Sequence, residues 1–289
     1  MIVLYIFKFD KTNKSSFYPE IRINKRELCS LYNQLAAMPR QVQQIMKQVL
    51  ILIISFFTMT DAQAQLENSI FAVVKISYNK PGETPVTGGI SGSAFLINDS
   101  TVITANHVLN KQNFLPNEGF NFVQFWLLSR NNNLIIPLSK DFIKSFEEIE
   151  TSIIKLPEHV KCTLEVSKSV PKINDTVHNY GHIINMPITN AHWENNLLVI
   201  DDYNLNKSTS DSTGVIAEIK KITVNANDVK LNDVEVIQPS FKANVGMSGG
   251  PLISNNKIIG MMSFGLPADL DIKDIVFAIS IDEILTKLK

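Results

Sequence analysis

From Ile70 onward the apolar residues come in short runs broken by Asn, Asp, Ser and Gly. Ile70–Ser77, Gly92–Ile97, Thr101–Thr104, Phe122–Leu128, Leu134–Leu138 and Thr151–Leu156 form a first set. Val177–Gly181, Asn196–Asp201, Val215–Ile222, Val234–Gln238, Pro251–Ser254, Lys257–Phe264 and Ile275–Ile279 form a second. Runs of this length, bounded by turn residues, predict strands of antiparallel sandwiches or barrels. Pro157 and Pro171 bracket a polar stretch that divides the two sets near 157–172. The tail changes period: Ile281, Ile284, Leu285 and Leu288 fall on one face of a helix. Ser280 and Glu283 have the spacing of a capping box at its start. The pattern predicts an all-β chain of two barrels closed by one docking helix.

The first 64 residues follow a different logic. Val49–Met59 is an uninterrupted apolar run except for Ser55 and Thr58, too short for the roughly 20 residues of a membrane-spanning helix. Met46-Lys47 precedes it and Ala62-Gln-Ala64 follows, the pattern of a secretory signal peptide cleaved after Ala64. An uncleaved signal anchor is the alternative. Residues 1–45 read as an extension upstream of the true start, with Met46 or Met38 as initiator. The expected divisions are therefore 1–45, the extension; 46–64, the signal peptide; 65–165, a first barrel; and 166–289, a second barrel with the terminal helix.

Composition narrows the function. Hydrophobic residues make up 45% and charged residues 19% of the 289, an ordinary globular balance that excludes pervasive disorder and a polytopic membrane protein. The net charge is −1, and eight of the 27 Lys+Arg but only four of the 28 Asp+Glu precede Gln65. The remainder thus carries −5, so no basic surface exists to neutralise nucleic-acid phosphates. Of two cysteines, Cys29 and Cys162, only the second survives cleavage, which removes an internal disulfide and a thiolate zinc site. The expected product is periplasmic or secreted, with no stable membrane insertion after cleavage and no metal or cofactor.

The most informative segment is Gly246-Met-Ser-Gly-Gly-Pro251. Its glycines permit positive φ and close backbone approach. Ser248 at the centre of such a turn would be exposed, with the Gly246 and Ser248 N–H groups able to point at one oxygen. This suits a nucleophile beside an oxyanion hole; a Gly-rich hairpin turn is the plainer alternative. A serine needs a base. Among five histidines, His107 stands out, in Thr104-Ala-Asn-His-Val-Leu109 after an apolar strand. His159, His178, His182 and His192 lack comparable surroundings.

Together, Thr104-Ala-Asn-His-Val and Gly246-Met-Ser-Gly-Gly-Pro resemble the chymotrypsin-fold, trypsin-like serine peptidases, particularly bacterial members without disulfides. Gly92-Ser-Ala-Phe-Leu-Ile97 is similar to the strand before the histidine loop, Tyr180-Gly181 to the start of the second barrel, and Gly260–Gly265 to the substrate-binding strand. The resemblance covers nearly all of 65–289. It implies two antiparallel six-stranded barrels, a peptide or protein substrate, and an acyl-enzyme mechanism. It further implies Ser248 as nucleophile, His107 as base, and Gly246 with Ser248 as oxyanion hole.

The departure lies in the acid. Family members carry Asp at the head of a strand that corresponds here to Glu150-Thr-Ser-Ile-Ile-Lys-Leu156. Glu150 can take the role if the backbone withdraws by about one methylene; Glu148 and Asp141 are alternatives, and so is a solvated Glu150. Met247 replaces the Asp used in mammalian-type zymogen activation, and no C-terminal PDZ domain is expected. The resemblance lines the primary pocket with Lys242, Ser263, Phe264, Gly265 and Ile275, none acidic, which implies small or medium hydrophobic side chains in the substrate. A weak or inactive homologue that binds peptides in the same cleft is the competing function. A hydrolase of the α/β type does not fit, because there the histidine follows the serine. N-terminal sequencing of exported protein should begin at Gln65; material that retains residues before Val49 would instead support an anchor.

Overall fold

The apolar runs form strands in two mainly antiparallel sheets. The structure is a computed structural model and describes residues 68–80, 83, 86–109, 115–129, 135–183, 187–188, 191–194, 197–200, 209–226, 229–242, 244–265 and 276–288. The signal-peptide assignment, Cys29 and Ile275 lie outside them.

The first sheet contains β1 (Ile70–Tyr78), β2 (Val86–Asn98), β3 (Thr101–Ala105), β4 (Phe122–Ser129), β5 (Ile135–Leu138), β6 (Ile143–Phe146) and β7 (Thr151–Lys155). Their order is β5-β4-β1-β2-β3-β7-β6. The second half of the chain adds β8 (Glu165–Val166), β9 (Thr176–His182), β10 (Pro187–Ile188), β11 (Ala191–Glu194), β12 (Leu197–Ile200), β13 (Thr209–Ala226), β14 (Val229–Pro239), β15 (Pro251–Ser254), β16 (Lys257–Gly265) and β17 (Val276–Ser280). The second sheet runs β15-β9-β13-β14-β17-β16-β8, and a further β15–β16 pairing closes it into a ring. This is the two-barrel, chymotrypsin-like architecture that the sequence pattern and the resemblance imply. β8 joins β16 in parallel, and β6 extends the first sheet beyond β7.

Strand alternation divides the interior. On β1, Phe71 and Val73 face the main core, while Ala72, Val74 and Ile76 face a second cluster with Val86, Ile90, Trp126 and Leu128. A strand covered on both faces reads as continuously apolar, as Ile70–Val74 does. Part of the second cover comes from far along the chain. β10 pairs with β2 at Gly88 and Gly89, and Trp193 of β11 packs edge-on to Tyr78. β17 alternates likewise: Val276 and Ala278 enter one cluster with Val177, Ile216, Ile237 and Leu252, whereas Phe277 and Ile279 join the main core. That main core also contains Phe95, Ile103 and Leu127 of the first sheet, so it runs continuously from the first barrel into the second.

The terminal helix α1 (Ile281–Thr286) closes this core with Ile281 and Ile284. The capping box expected at its start does not form. Ser280 occupies the cap position without a side-chain hydrogen bond, being itself the last residue of β17, paired with Gly260. Glu283 instead accepts the Glu235 N–H of β14 (3.1 Å), which ties the helix to the sheet. Burial pushes the half-buried Cys162 thiol up from its ordinary range, and its Sγ–H donates to the Leu164 carbonyl. Among the described residues no helix is long and apolar enough to cross a membrane.

Ile284 is fully buried in the main core, where the helix packs on β16 and β17. Ile284→Ala should therefore lower unfolding stability by about 2–5 kcal/mol in urea titrations. A change below about 0.5 kcal/mol, the range of an exposed site, would mean that the helix is not docked.

Candidate active site

His107 lies in the 3-10 turn Asn106–Leu109 that follows β3. β7 and its preceding turn anchor this segment. Asn106 N–H donates to the Glu150 carbonyl (2.9 Å), and the Ser152 hydroxyl donates to Asn106 Oδ1 (3.0 Å). The imidazole is 29% exposed, whereas the Glu150 carboxylate is fully buried. His107 Nδ1 lies 2.6 Å from Glu150 Oε1, and the same oxygen accepts the His107 main-chain N–H at 2.8 Å. An ionised carboxylate only accepts hydrogen bonds, so Nδ1 carries the hydrogen and Nε2 is left as the basic nitrogen. Two donors converging on one oxygen hold the ring's orientation. Glu150 Oε2 is buried and has no hydrogen-bond partner among the described residues.

Glu150 reaches this position from a left-handed backbone, φ 52°. In a non-glycine residue that conformation costs about 1–2 kcal/mol through the Cβ–carbonyl contact. The turn supports it: Glu150 N–H donates to the Glu147 carbonyl (3.2 Å), while Asn106 takes its own carbonyl. The side chain thus leaves from a turn residue ahead of β7 rather than from the strand itself. Of the three carboxylates considered, this is the one the structure brings to the imidazole. Glu148 turns to Lys287 (2.9 Å), whose ammonium holds its carboxyl below the usual range, and Asp141 is exposed in the 3-10 turn Lys140–Phe142.

The turn carrying Ser248 is fixed from both barrels. Gly246 and Gly249 have φ of 104° and 84°, values that favour glycine. A Cβ at Gly249 would run into the Ser93 carbonyl and the Thr104 hydroxyl. Within the second barrel, Met247 is buried, and its Sδ accepts Asn244 N–H (3.1 Å) and the Ser210 hydroxyl (3.5 Å). Gly249 N–H donates to the Met262 carbonyl (2.7 Å) and Gly250 N–H to that of Met247 (3.0 Å). From the first barrel, Ser93 N–H donates to the Ser248 carbonyl and Ser93 Oγ to the Gly246 carbonyl, both at 2.8 Å. Register pairs Ala94 with Thr104, so the grip falls beside the end of β3, where the His107 turn begins. The Ser248 hydroxyl donates to the Ser263 carbonyl (2.9 Å). Among the described residues the Gly246 and Ser248 N–H groups have no acceptor.

The remaining expected residues are partly visible. Ser263 is buried, and its hydroxyl has no partner among the described residues. Phe264 and Gly265 follow it on β16, in register with Phe277 and Val276. Lys242 is exposed ahead of the Ser248 turn. Ser93, Thr104, Ser210 and Asn244 were not singled out from the sequence. Ser93 carried a signal nonetheless, as the polar residue within the otherwise apolar run Gly92–Ile97. Among the described residues no group of three or more His, Cys, Asp or Glu could hold a metal.

The trypsin family model matches residues 73–287, a span that includes His107, Glu150 and Ser248. The chain belongs to the trypsin family. As a trypsin-family protein it is a serine endopeptidase, acting on peptide or protein substrates. Among solved structures it is similar to the active form of the Rv3671c protease from M. tuberculosis, with 18% identity, 78% of this chain and 82% of that chain covered, and a TM-score of 0.49. It is also similar to an inactive form of the same protein bearing a serine-to-alanine substitution, with 17% identity, 78% and 88% covered, and a TM-score of 0.49. No curated protein matches the chain.

The contact between His107 and Glu150 makes a directional prediction. In Glu150→Gln the amide can present a donor to the ring and favour the wrong tautomer, so kcat should fall by about 10³–10⁴-fold. Glu150→Asp keeps the charge on a shorter stem and should cost about tenfold, on the order of 1.4 kcal/mol. Equal kcat for Glu150→Gln and the parent would show that this carboxylate does not serve the histidine.

Proposed function

We propose that the chain is an exported serine endopeptidase working through a Ser248–His107–Glu150 triad and an acyl-enzyme intermediate. The observation that carries this reading is the 2.6 Å contact between His107 Nδ1 and a fully buried carboxylate, beside the seam where Ser93 grips the Ser248 turn. For attack, the Ser248 hydroxyl turns from the Ser263 carbonyl to His107 Nε2, which takes its proton as Oγ adds to the scissile carbonyl. The Gly246 and Ser248 N–H groups stabilise the negative oxygen of the tetrahedral intermediate. The imidazolium, balanced by Glu150, then protonates the leaving amine, and an acyl ester remains on Ser248. Water, deprotonated by His107, adds to the ester, and collapse of the second intermediate releases the acid and restores the serine.

Substrate contacts are assigned to Lys242, Ser263, Phe264, Gly265 and Ile275. The absence of a carboxylate from this set disfavours Arg or Lys in the primary pocket and favours small or medium hydrophobic side chains. Export follows from the apolar run Val49–Met59 and the Ala62-Gln-Ala64 ending. The mature chain then begins at Gln65, with barrels at 65–165 and 166–289.

A fluorophosphonate probe tests the nucleophile. It should label the parent at Ser248 and leave Ser248→Ala unlabelled, with peptide turnover falling toward the residual about 10³–10⁴-fold over water that binding and the oxyanion hole sustain. Retention of most peptidase activity in Ser248→Ala would refute the assignment.

A further inference from the structure

Ser93 is fully buried on β2, in the wall between the barrels, where a hydroxyl is costly unless hydrogen-bonded. All of its polar groups are engaged. Oγ accepts the His182 N–H of β9 (2.8 Å) and donates to the Gly246 carbonyl (2.8 Å). Its N–H donates to the Ser248 carbonyl (2.8 Å), and its own carbonyl accepts the Thr104 hydroxyl (2.7 Å). Two of these four bonds hold the turn that carries Ser248.

We propose that the Ser93 hydroxyl is a positioning residue for the oxyanion site: it holds the Gly246–Met247 peptide, the link between the two peptides whose Gly246 and Ser248 N–H groups must converge. The proposal rests on the roles given above to Ser248 and to those two amides. A peptide unit is planar, with N–H and C=O pointing opposite ways, so whatever holds a carbonyl also aims the following N–H. The Met247 carbonyl, taken by Gly250 N–H, aims the Ser248 N–H. The Ser248 carbonyl is held by the Ser93 main chain, which any residue at 93 would supply. The Gly246 carbonyl shares its plane with the Met247 N–H, which donates to the Asn244 carbonyl (3.2 Å). This peptide is the link between the two that carry the Gly246 and Ser248 N–H groups, and the donor on its carbonyl is a side chain.

Gly246 is also the residue of the turn with most need of that restraint. It has the rotational freedom of glycine at φ 104°, and it follows Val245, which is 76% exposed. With the Ser93 hydroxyl removed, rotation about Gly246 changes the angle between the two N–H groups while the backbone clasp at Ser248 persists. Gly181 fits the same construction, since a Cβ there would press on both Ser93 Oγ and the Met247 backbone.

The test uses the purified full chain, with active sites counted by fluorophosphonate titration so that kcat is expressed per competent Ser248. Ser93→Ala should lower this kcat by about tenfold to a hundredfold, the size expected for leaving one buried carbonyl without its donor, with KM little changed. Affinity for a peptidyl boronate, which presents a tetrahedral oxygen to the two amides, should fall in parallel, and affinity for the product peptide should not. Ser93→Thr, which keeps the hydroxyl, should recover most of the loss. A purely structural role would reduce the number of titrated sites without altering kcat per site. An unchanged kcat per site with unchanged boronate affinity would overturn the proposal. Where Ser93→Ala does not fold, Ser93→Cys, with its weaker donor, is read in the same way. A parent that fails to label would overturn the Ser248 assignment and this proposal together, whereas a labelled parent with an unimpaired Ser93→Ala overturns only the second.

Discussion

Strand β2 holds the turn that bears Ser248 by one backbone bond and one side-chain bond, and both come from Ser93. The residues on the two sides of this seam belong to different sheets, so nothing local in the chain sets their separation. Hydrogen bonds have a narrow range of useful lengths and angles, and four of them converge on one fully buried residue. That convergence fixes the distance between the barrels beside the Ser248 turn. It also explains the small residues nearby. Gly249, Gly250 and Gly181 lie so close to the Ser93 carbonyl, the Tyr180 carbonyl and the Ser93 hydroxyl, respectively, that a Cβ at any of them would force something to move.

The carboxylate is placed by contacts from both barrels as well. Its turn is bonded to the His107 segment within the first sheet. The second barrel reaches it through an antiparallel bridge between Ile149 and Leu231 and through the Lys287–Glu148 ion pair. Ile149 and Leu231 are both buried in the core that runs between the barrels, so the bridge is shielded from water. The ion pair is largely exposed and contributes little by itself. Apolar packing therefore holds the acid loop, and the left-handed step at Glu150 is sustained by that packing and by the turn bonds around it.

Much of the site was legible in the chain because its signals are local. A glycine-flanked serine and a histidine after a short apolar strand each reflect the backbone geometry of a few consecutive residues. The same holds for the strands, whose period and turn residues mark them, and for the face of the terminal helix. Expectations failed where a distant group competed. The capping box at Ser280 and Glu283 was lost because the Glu235 N–H, supplied by β14, captured the Glu283 carboxylate. The cover that β10 and Trp193 lay over the first sheet was likewise invisible, since its partners are about a hundred residues apart or more.

The amino-acid sequence alone determined most of the strands, the terminal helix, the two-barrel architecture and the residue types on which a serine-based mechanism rests, because each depends on composition and spacing over a few residues. The tertiary structure decided which of three nearby carboxylates meets the histidine, and that a buried serine on another strand holds the turn of Ser248. Both are matters of tenths of an ångström between segments far apart in the chain. Such distances are set by the packing of one barrel against the other, which no local pattern encodes.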